Sequence, residues 1–443
     1  MAVDQGVREA RKRLDRSKEY QEKGWYHSFE LPDGTVIPGA MSLPHQLQRY
    51  AAFPLPADLR GKRVLDIGTW DGWFAFEAER HGATVTAVDC VEVAGFLEIH
   101  RKLASQVDYC VLDVYQLPAA GLGRFDIVFF LGVLYHLKHP LLALEIVCSL
   151  ATATVIVDSF VTDGSTWEDH TEDIPTMEFY ETDELGNGLD NWVGPTVGCL
   201  LALCRAAGFA RVELLHASGF NAVVACFRKW EPEPDAVSQE PPDLLDVLNS
   251  WTFGVNFSTC KDEFVSCWFR TPQASVARGD LRLEVGGFGV PALFARRDEQ
   301  GVWVANFRLP PGLENGWKDV RLRLADSRFG KTFRIAVDMP LQVGRLELHG
   351  VCDGITWSAD EARISDGGFV SGWVTGLPEN CDRGNVHVTI GDKRLRVEYI
   401  GAPDAQGRRQ INAALPHDLP RGKQLISVEC GGVTSQTLPL NVQ

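Results

Sequence analysis

The sequence predicts a doubly wound α/β domain followed by two all-β sandwiches. Three observations carry this. In residues 64–72 an apolar run ends in Asp66-Ile67-Gly68, crosses a turn closed by Gly72, and enters the helical stretch 73–80. Strand, glycine turn, helix is the opening of a parallel α/β unit. Further apolar runs follow, and acids stand at the ends of the first three: Asp66, Asp89 and Asp113. Beyond residue 242 the texture changes to short alternating strands between Gly, Pro and Asp turns, the pattern of β-sandwiches.

The elements follow in order. Residues 1–60 read as an N-terminal helix and a lead-in that caps the next domain. The first 23 residues are charged, with Val7, Ala10, Leu14 and Tyr20 as a thin apolar stripe and no apolar core of a signal peptide. Trp25, Tyr26 and His27 precede a Pro32-Asp33-Gly34 turn, which suggests a short hairpin. It serves either as packing or as a flap. Residues 61–230 form the α/β domain. Strands are expected over 83–89, 107–115, 125–132 and 153–160, and helices over 140–150 and 196–208. Antiparallel strands over 209–215 and 222–228 close the sheet. The run 125–132 is apolar throughout, as in a parallel strand covered on both faces.

A glycine turn lets a ligand approach the backbone, because glycine has no Cβ. The dinucleotide fingerprint is not matched, since Gly68-Thr69-Trp70 lacks its second glycine. Asp89 follows Asp66 by 23 residues and suits ribose hydroxyls. Asp113 could accept from an adenine amino group. Each acid alone could equally be a solvated loop residue or a helix cap. Val133-Leu134-Tyr135-His136 stands at the carboxyl end of the fourth strand, where open α/β sheets bind ligands.

Residues 61–80, with Asp66, Gly68 and Gly72 as D-x-G-x-x-x-G, and residues 131–145, with Gly132-Val133-Leu134-Tyr135-His136, resemble the methyltransferase family that includes the tRNA wobble-uridine (carboxy)methyltransferases. Trp25-Tyr26-His27 and Asn191-Trp192-Val193-Gly194-Pro195-Thr196 are similar to members as well. The resemblance spans about residues 20–230. It implies a class I, Rossmann-like methyltransferase domain with a seven-stranded sheet and S-adenosyl-L-methionine (SAM) as cofactor. It implies a cofactor wall of Asp66, Gly68, Trp70, Gly72, Asp89, Cys90, Asp113, Val114, Leu131 and Gly132. The methyl acceptor is then expected near Tyr135 and His136. His136 is the first choice of general base, His27 the second, since imidazole titrates near neutrality; a structural hydrogen bond is the alternative role for His136. The tRNA branch that uses carboxylated SAM keeps a lysine in its lead-in, and residues 25–31 here have none.

The chain's formal charge is −16, of which residues 1–230 carry −11. Between His139 and Cys204 there is no Lys or Arg, while Asp158, Asp163, Glu178, Glu181, Asp183, Glu184 and Asp190 are among its many acids. A nucleic-acid site needs cations to displace counterions, so this stretch argues against one. Residues 163–191 are expected to build the acceptor pocket, with Trp25, Tyr26, Trp167, Tyr180, Asn191 and Trp192 as substrate walls. The acids there are a solvated loop, a grip on a cationic or polyhydroxyl acceptor, or a Mg²⁺ site through Asp169, His170, Glu172 or Asp173. Eleven scattered cysteines without a C-x-x-C pair and no membrane-length apolar run fit a cytoplasmic protein.

Residues 231–249 form a proline-acid linker. An internal repeat follows at an offset of 105–106 residues: Val265-Ser266-Cys267-Trp268 with Val370-Ser371-Gly372-Trp373, and Leu309-Pro310 with Leu415-Pro416. It places sandwiches at 250–342 and 345–443, opened by strands in 251–264 and 354–369. The last resembles immunoglobulin-like modules of bacterial multidomain proteins. Trp251, Trp268, Trp303, Trp317, Trp357 and Trp373 are expected in the cores. Homodimerisation or scaffolding is the ordinary role of such domains; glycan or protein binding is the sharper one. The expected function is SAM-dependent methyl transfer to O or N of a small metabolite or saccharide. The alternatives are tRNA wobble-uridine modification and a SAM-binding assembly protein without turnover.

Overall fold

The computed structural model describes residues 24–163, 174–186, 188–237 and 239–443. The expected helix within 1–23 and the residues Trp167, Asp169, His170, Glu172 and Asp173 lie outside these. The chain forms two compact units, the first built mainly of residues up to Pro232 and the second of most of the remainder.

In the first unit the lead-in makes a two-stranded hairpin, β1 (Phe29–Glu30) and β2 (Val36–Ile37), around the Pro32-Asp33-Gly34 turn. Helix α1 (Leu43–Ala51) follows. Then β3 (Arg63–Ile67), α2 (Trp73–Arg80), β4 (Thr84–Asp89), α3 (Ala94–Leu103), β5 (Asp108–Val111), β6 (Phe125–Leu131), α4 (Pro140–Leu150) and β7 (Ala151–Phe160) alternate. A small pair, β8 (Met177–Phe179) with β9 (Val193–Pro195), precedes α5 (Val197–Ala206). The antiparallel β10 (Arg211–Ser218) and β11 (Asn221–Phe227) end the unit.

The main sheet has seven strands in the order β10-β11-β7-β6-β3-β4-β5. Five are parallel, and β11 runs antiparallel to β7. Successive residues of a strand face opposite sides. Val64, Ile127, Phe129 and Ile156 therefore share one core with α2 and α3. Leu65, Val128, Phe130 and Val157 share the other with α4 and α5. That is why the strands are nearly continuous apolar runs. From β3 the chain winds outward to β5, then returns to β6 on the other side. The crevice between the carboxyl ends of β3 and β6 is thus the switch point where such sheets take ligands.

The second unit repeats one arrangement of two sheets. One pair of sheets has the orders β12 (Asp243–Asn249), β14 (Phe264–Arg270), β18 (Trp303–Arg308), β17 (Ala292–Arg297) and β13 (Asn256–Phe257), β20 (Phe333–Val337), β19 (Gly316–Leu324), β15 (Leu281–Val285), β16 (Phe288–Val290). The next pair has the orders β21 (Glu347–Asp353), β23 (Phe369–Thr375), β27 (Arg409–Ala414), β26 (Val397–Ile400) and β22 (Glu361–Ala362), β30 (Leu438–Val442), β28 (Gly422–Cys430), β24 (Val386–Ile390), β25 (Lys393–Leu395), with β29 (Val433–Thr434) beside β28. In the second pair Val351, Val374 and Ile411 of one sheet meet Val388, Ile426 and Val428 of the other in a single core. The first pair begins before residue 250, inside the expected linker. A bulge between Leu244 and Asp246 breaks the alternation that marks a strand. The expected long opening strands are the two-residue β13 (Asn256–Phe257) and β22 (Glu361–Ala362). Trp303 is buried, but Trp251 and Trp357 are 70% and 60% exposed, contrary to the expected core role.

Phe129 is fully buried, with the rings of Tyr50, Phe53 and Phe74 about its own. Phe129→Ala should cost about 3–5 kcal/mol. A lower urea midpoint for the first unit's transition, at unchanged slope, is the expected reading.

Candidate active site

The site is built on the turn between β3 and α2. Gly68, Trp70 and Gly72 all have left-handed backbone, with φ of 69°, 51° and 88°. Space demands glycine as much as conformation does. A Cβ on Gly68 would lie 2.3 Å from Val133, and one on Gly72 2.5 Å from the Phe96 ring. Asp89, buried at the end of β4, accepts from the Trp70 N–H at 3.0 Å. A carboxylate has about four acceptor positions, so capacity for a diol remains. Asp66 is buried and accepts from the Thr69 hydroxyl at 2.7 Å. Burial pushes its carboxyl up to about 7, with Asp89 and Asp71 adding repulsion.

A third carboxylate comes from inside the turn. Asp71 accepts from the backbone N–H groups of His27 (2.9 Å) and Tyr26 (3.2 Å), and its other oxygen pairs with His27 Nδ1. Both side chains are buried, and the His27 ring sits against Trp73 and Phe74. The His27 ring thus ties the lead-in to the glycine turn. Trp25 packs beside Gly95, where a Cβ would lie 2.9 Å from its ring.

Across the crevice, Gly132 follows β6 with φ 75°, and a Cβ there would meet nothing nearer than the Tyr135 hydroxyl at 3.9 Å. Leu131 is half-buried beside it. Without a side chain, Gly132 leaves this edge of the crevice, opposite the Gly68 turn and Asp89, clear for a ligand. At the third strand, Asp113 caps a short 3₁₀ turn (Val114–Ala119), accepting from the Tyr115 N–H at 2.9 Å. The Val114 side chain belongs to the core, so any part it has in the cofactor wall falls to its backbone. Partial desolvation, with Asp89 alongside, raises the Cys90 thiol.

At the acceptor edge, Tyr135 and His136 lie on a 3₁₀ turn (Leu134–His136). His136 is part-exposed, and its Nδ1 is 3.2 Å from the Asp190 carbonyl. A carbonyl only accepts, so Nδ1 carries the proton and Nε2 is the basic nitrogen. The Trp192 N–H donates to the Tyr135 carbonyl at 2.8 Å, docking the strap from β8 to β9 onto this turn. Asn191 donates to the Leu185 carbonyl. Tyr180 is fully buried with Phe160 and Leu185, a pillar rather than the expected wall. Lys138 stands 4.2 Å from the Trp192 ring centroid.

Two participants escaped the sequence reading. Arg49 of α1 pairs with the buried Asp158 of β7, and Asn221 of β11 donates to the same carboxylate at 2.5 Å. These lie 109 and 63 residues from Asp158 in the chain, so no local spacing marks them.

Residues 41–223 match the family model described as a methyltransferase domain. These residues form a class I SAM-dependent methyltransferase domain. The tRNA U34 carboxymethyltransferase of Campylobacter hominis is 32% identical over 163 residues, 36% of this chain and 54% of that protein. That of Azotobacter vinelandii is 30% identical over 200 residues, 43% of this chain and 56% of that protein. The chain thus spans about half the length of the curated relatives it matches. Among solved structures, the N-terminal domain of EvdMO1 with SAH and D-fucose is 22% identical, covering 48% of this chain and 97% of that one at a TM-score of 0.36. No described helix is long and apolar enough to cross a membrane, and no described cluster of His, Cys, Asp or Glu could hold a metal ion.

The Asp66 carboxyl fixes the sign of one pH effect. Its folded value near 7 lies above the ordinary 3.8, so the folded domain holds the proton more tightly than the unfolded chain. Stability should fall as pH rises from about 4 to about 7, by at most about 4 kcal/mol, and level off above. Asp66→Asn keeps an acceptor for Thr69 and should flatten that slope in urea titrations at pH 5 and pH 8. An unchanged slope would remove Asp66 as its source.

Proposed function

We propose that the protein transfers the methyl group of SAM to an oxygen or nitrogen of a small metabolite or saccharide. When bound, SAM supplies an electrophilic methyl on a sulfonium. Asp66, Gly68, Trp70, Gly72, Asp89, Leu131 and Gly132 are the residues that would hold it. His136 Nε2 takes the proton that leaves the acceptor, with Asp190 fixing the tautomer. Positioning of the acceptor does much of the remaining work; Trp192, Asn191 and Tyr135 supply that edge, with Trp25 and Tyr26 on the lead-in side.

The observation that carries the small-molecule reading is the charge of the acceptor edge. Arg49, the cation that α1 brings there, is matched by Asp158, and Lys138 lies over Trp192. The flanking strap contributes Glu178, Glu181, Asp183, Glu184 and Asp190. Such an edge disfavours a phosphate backbone and also the extra carboxylate of carboxylated SAM. The names of the curated relatives favour a second reading, modification of the tRNA wobble uridine. The two C-terminal sandwiches are read as an immunoglobulin-like tandem, and the protein as cytoplasmic.

Radiolabelled SAM offered with total tRNA in one reaction, and with a pool of amines, phenols and sugars in another, separates the readings. Label is expected in the small-molecule fraction; label in tRNA would establish the second reading instead. His136→Ala should lower turnover by about 10²–10⁴-fold while calorimetry shows SAM binding kept. Turnover that survives this change would withdraw His136 as the base.

A further inference from the structure

The two sandwiches of the second unit carry the same pair of loops, and only one of the two possible contacts between them is made. The tip loop follows the first strand of each sandwich. In the first, the Asn249 N–H donates to the Gly254 carbonyl (2.8 Å) and the Phe253 N–H to the Asn249 carbonyl (2.9 Å). In the second, Asp353 donates to Ser358 (3.0 Å) and Trp357 to Asp353 (2.9 Å). The side chains of Asn249 and Asp353 accept from Trp251 and Ile355 at 2.9 and 3.1 Å. At the apex a bulky aromatic is held in left-handed backbone, Phe253 at φ 52° and Trp357 at φ 61°. That conformation is an outlier for such side chains and points to a function for the apex.

The receiving loop precedes the strand β24 (Val386–Ile390) in the second sandwich and β15 (Leu281–Val285) in the first. It too has one architecture. The Asp382 N–H donates to Asn385 Oδ1 at 2.8 Å, and the Ala277 N–H to Asp280 Oδ2 at 3.0 Å. Arg383 and Arg278 occupy the same position in each.

Within the unit, the first tip loop sits on the second receiving loop. The Arg383 guanidinium is 4.4 Å from the Phe253 ring centroid. Gly254 lies so close that a Cβ would fall 2.2 Å from Asp382 Cβ. Burial raises the Asp382 carboxyl, and the Gly384 N–H donates to it at 2.8 Å. The complementary halves are uncovered: Trp357 and Ile355 are 60% and 55% exposed, and residues 277–280 are exposed as well. Bulk is exchanged between the two versions. Gly254 against Asp382 becomes Ser358 against Ala277, so a Cβ gained on the tip is met by a smaller side chain on the receiver.

We propose that the Trp357 tip loop of one chain docks on the 277–280 loop of a second copy, with Arg278 over the Trp357 ring. The contact joins different surfaces of the two chains, so association is head to tail and open-ended. A guanidinium over an indole is the favoured form of cation–π pair.

Sedimentation velocity of the full chain over a wide concentration range tests this. The sedimentation coefficient of the unaltered protein should rise with concentration. Trp357→Ala and Arg278→Glu should each lose that rise, with far-UV circular dichroism unchanged, because both side chains are at the surface. Mixing the two variants should restore a species of two chains and no larger one, since the mixture holds one intact tip and one intact receiver. A monomer at every concentration, association that survives either substitution, or a mixture that stays monomeric would each overturn the proposal.

Discussion

One buried carboxylate joins the two parts of the first unit. Asp71 stands inside the glycine turn, and its hydrogen bonds go to Tyr26 and His27, more than forty residues earlier. A carboxylate taken out of water is costly unless its oxygens are bonded. Here three donors meet it, and they exist only when the lead-in is in place. The lead-in is itself fastened by the buried amide of Gln46, which accepts from the Ser28 N–H and donates to the Ser28 carbonyl as a neighbouring strand would. Cap and turn therefore order as one piece. The conformation of Gly68, Trp70 and Gly72 depends on contacts outside the turn.

Three acids then crowd one corner: Asp66, Asp71 and Asp89. They cannot share a charge state cheaply. The structure separates them by partner. Asp71 has the lead-in, Asp89 has the Trp70 N–H, and Asp66 has the Thr69 hydroxyl and full burial, which raises its carboxyl. The same economy governs the acceptor edge, where Arg49 is matched by Asp158 and the Asp158 carboxylate by Asn221.

Much of this unit was legible in the chain, because its strands are covered on both faces. An apolar run such as 125–131 has few other fates, and the acids at strand ends follow from the same punctuation. The lead-in hairpin was marked by Pro32-Asp33-Gly34. What stayed hidden was contact between distant residues. Nothing near His27 in sequence announces Asp71, and nothing near Asp158 announces Arg49. Val114 and Tyr180 look like pocket residues by position, yet the core claims both side chains. In the second unit the repeat was visible at its offset. The start of β12 was not, since a bulge disguises the strand. The exposed Trp251 and Trp357 reverse an expectation drawn from composition alone, which cannot tell a core tryptophan from one at a loop apex.

The edge pairing of the sandwiches has a mechanical side. In each, a short early strand lies parallel to the last one: Asn256 and Phe257 beside Ala336 and Val337, then Glu361 and Ala362 beside Asn441 and Val442. Tension applied at the two ends of a module pulls parallel neighbours in opposite directions along their length. Their hydrogen bonds are then loaded together in shear and must break at once, rather than one after another as in a hairpin peeled from its end. Each sandwich thus carries a small clasp at the point where a stretched chain would begin to open it.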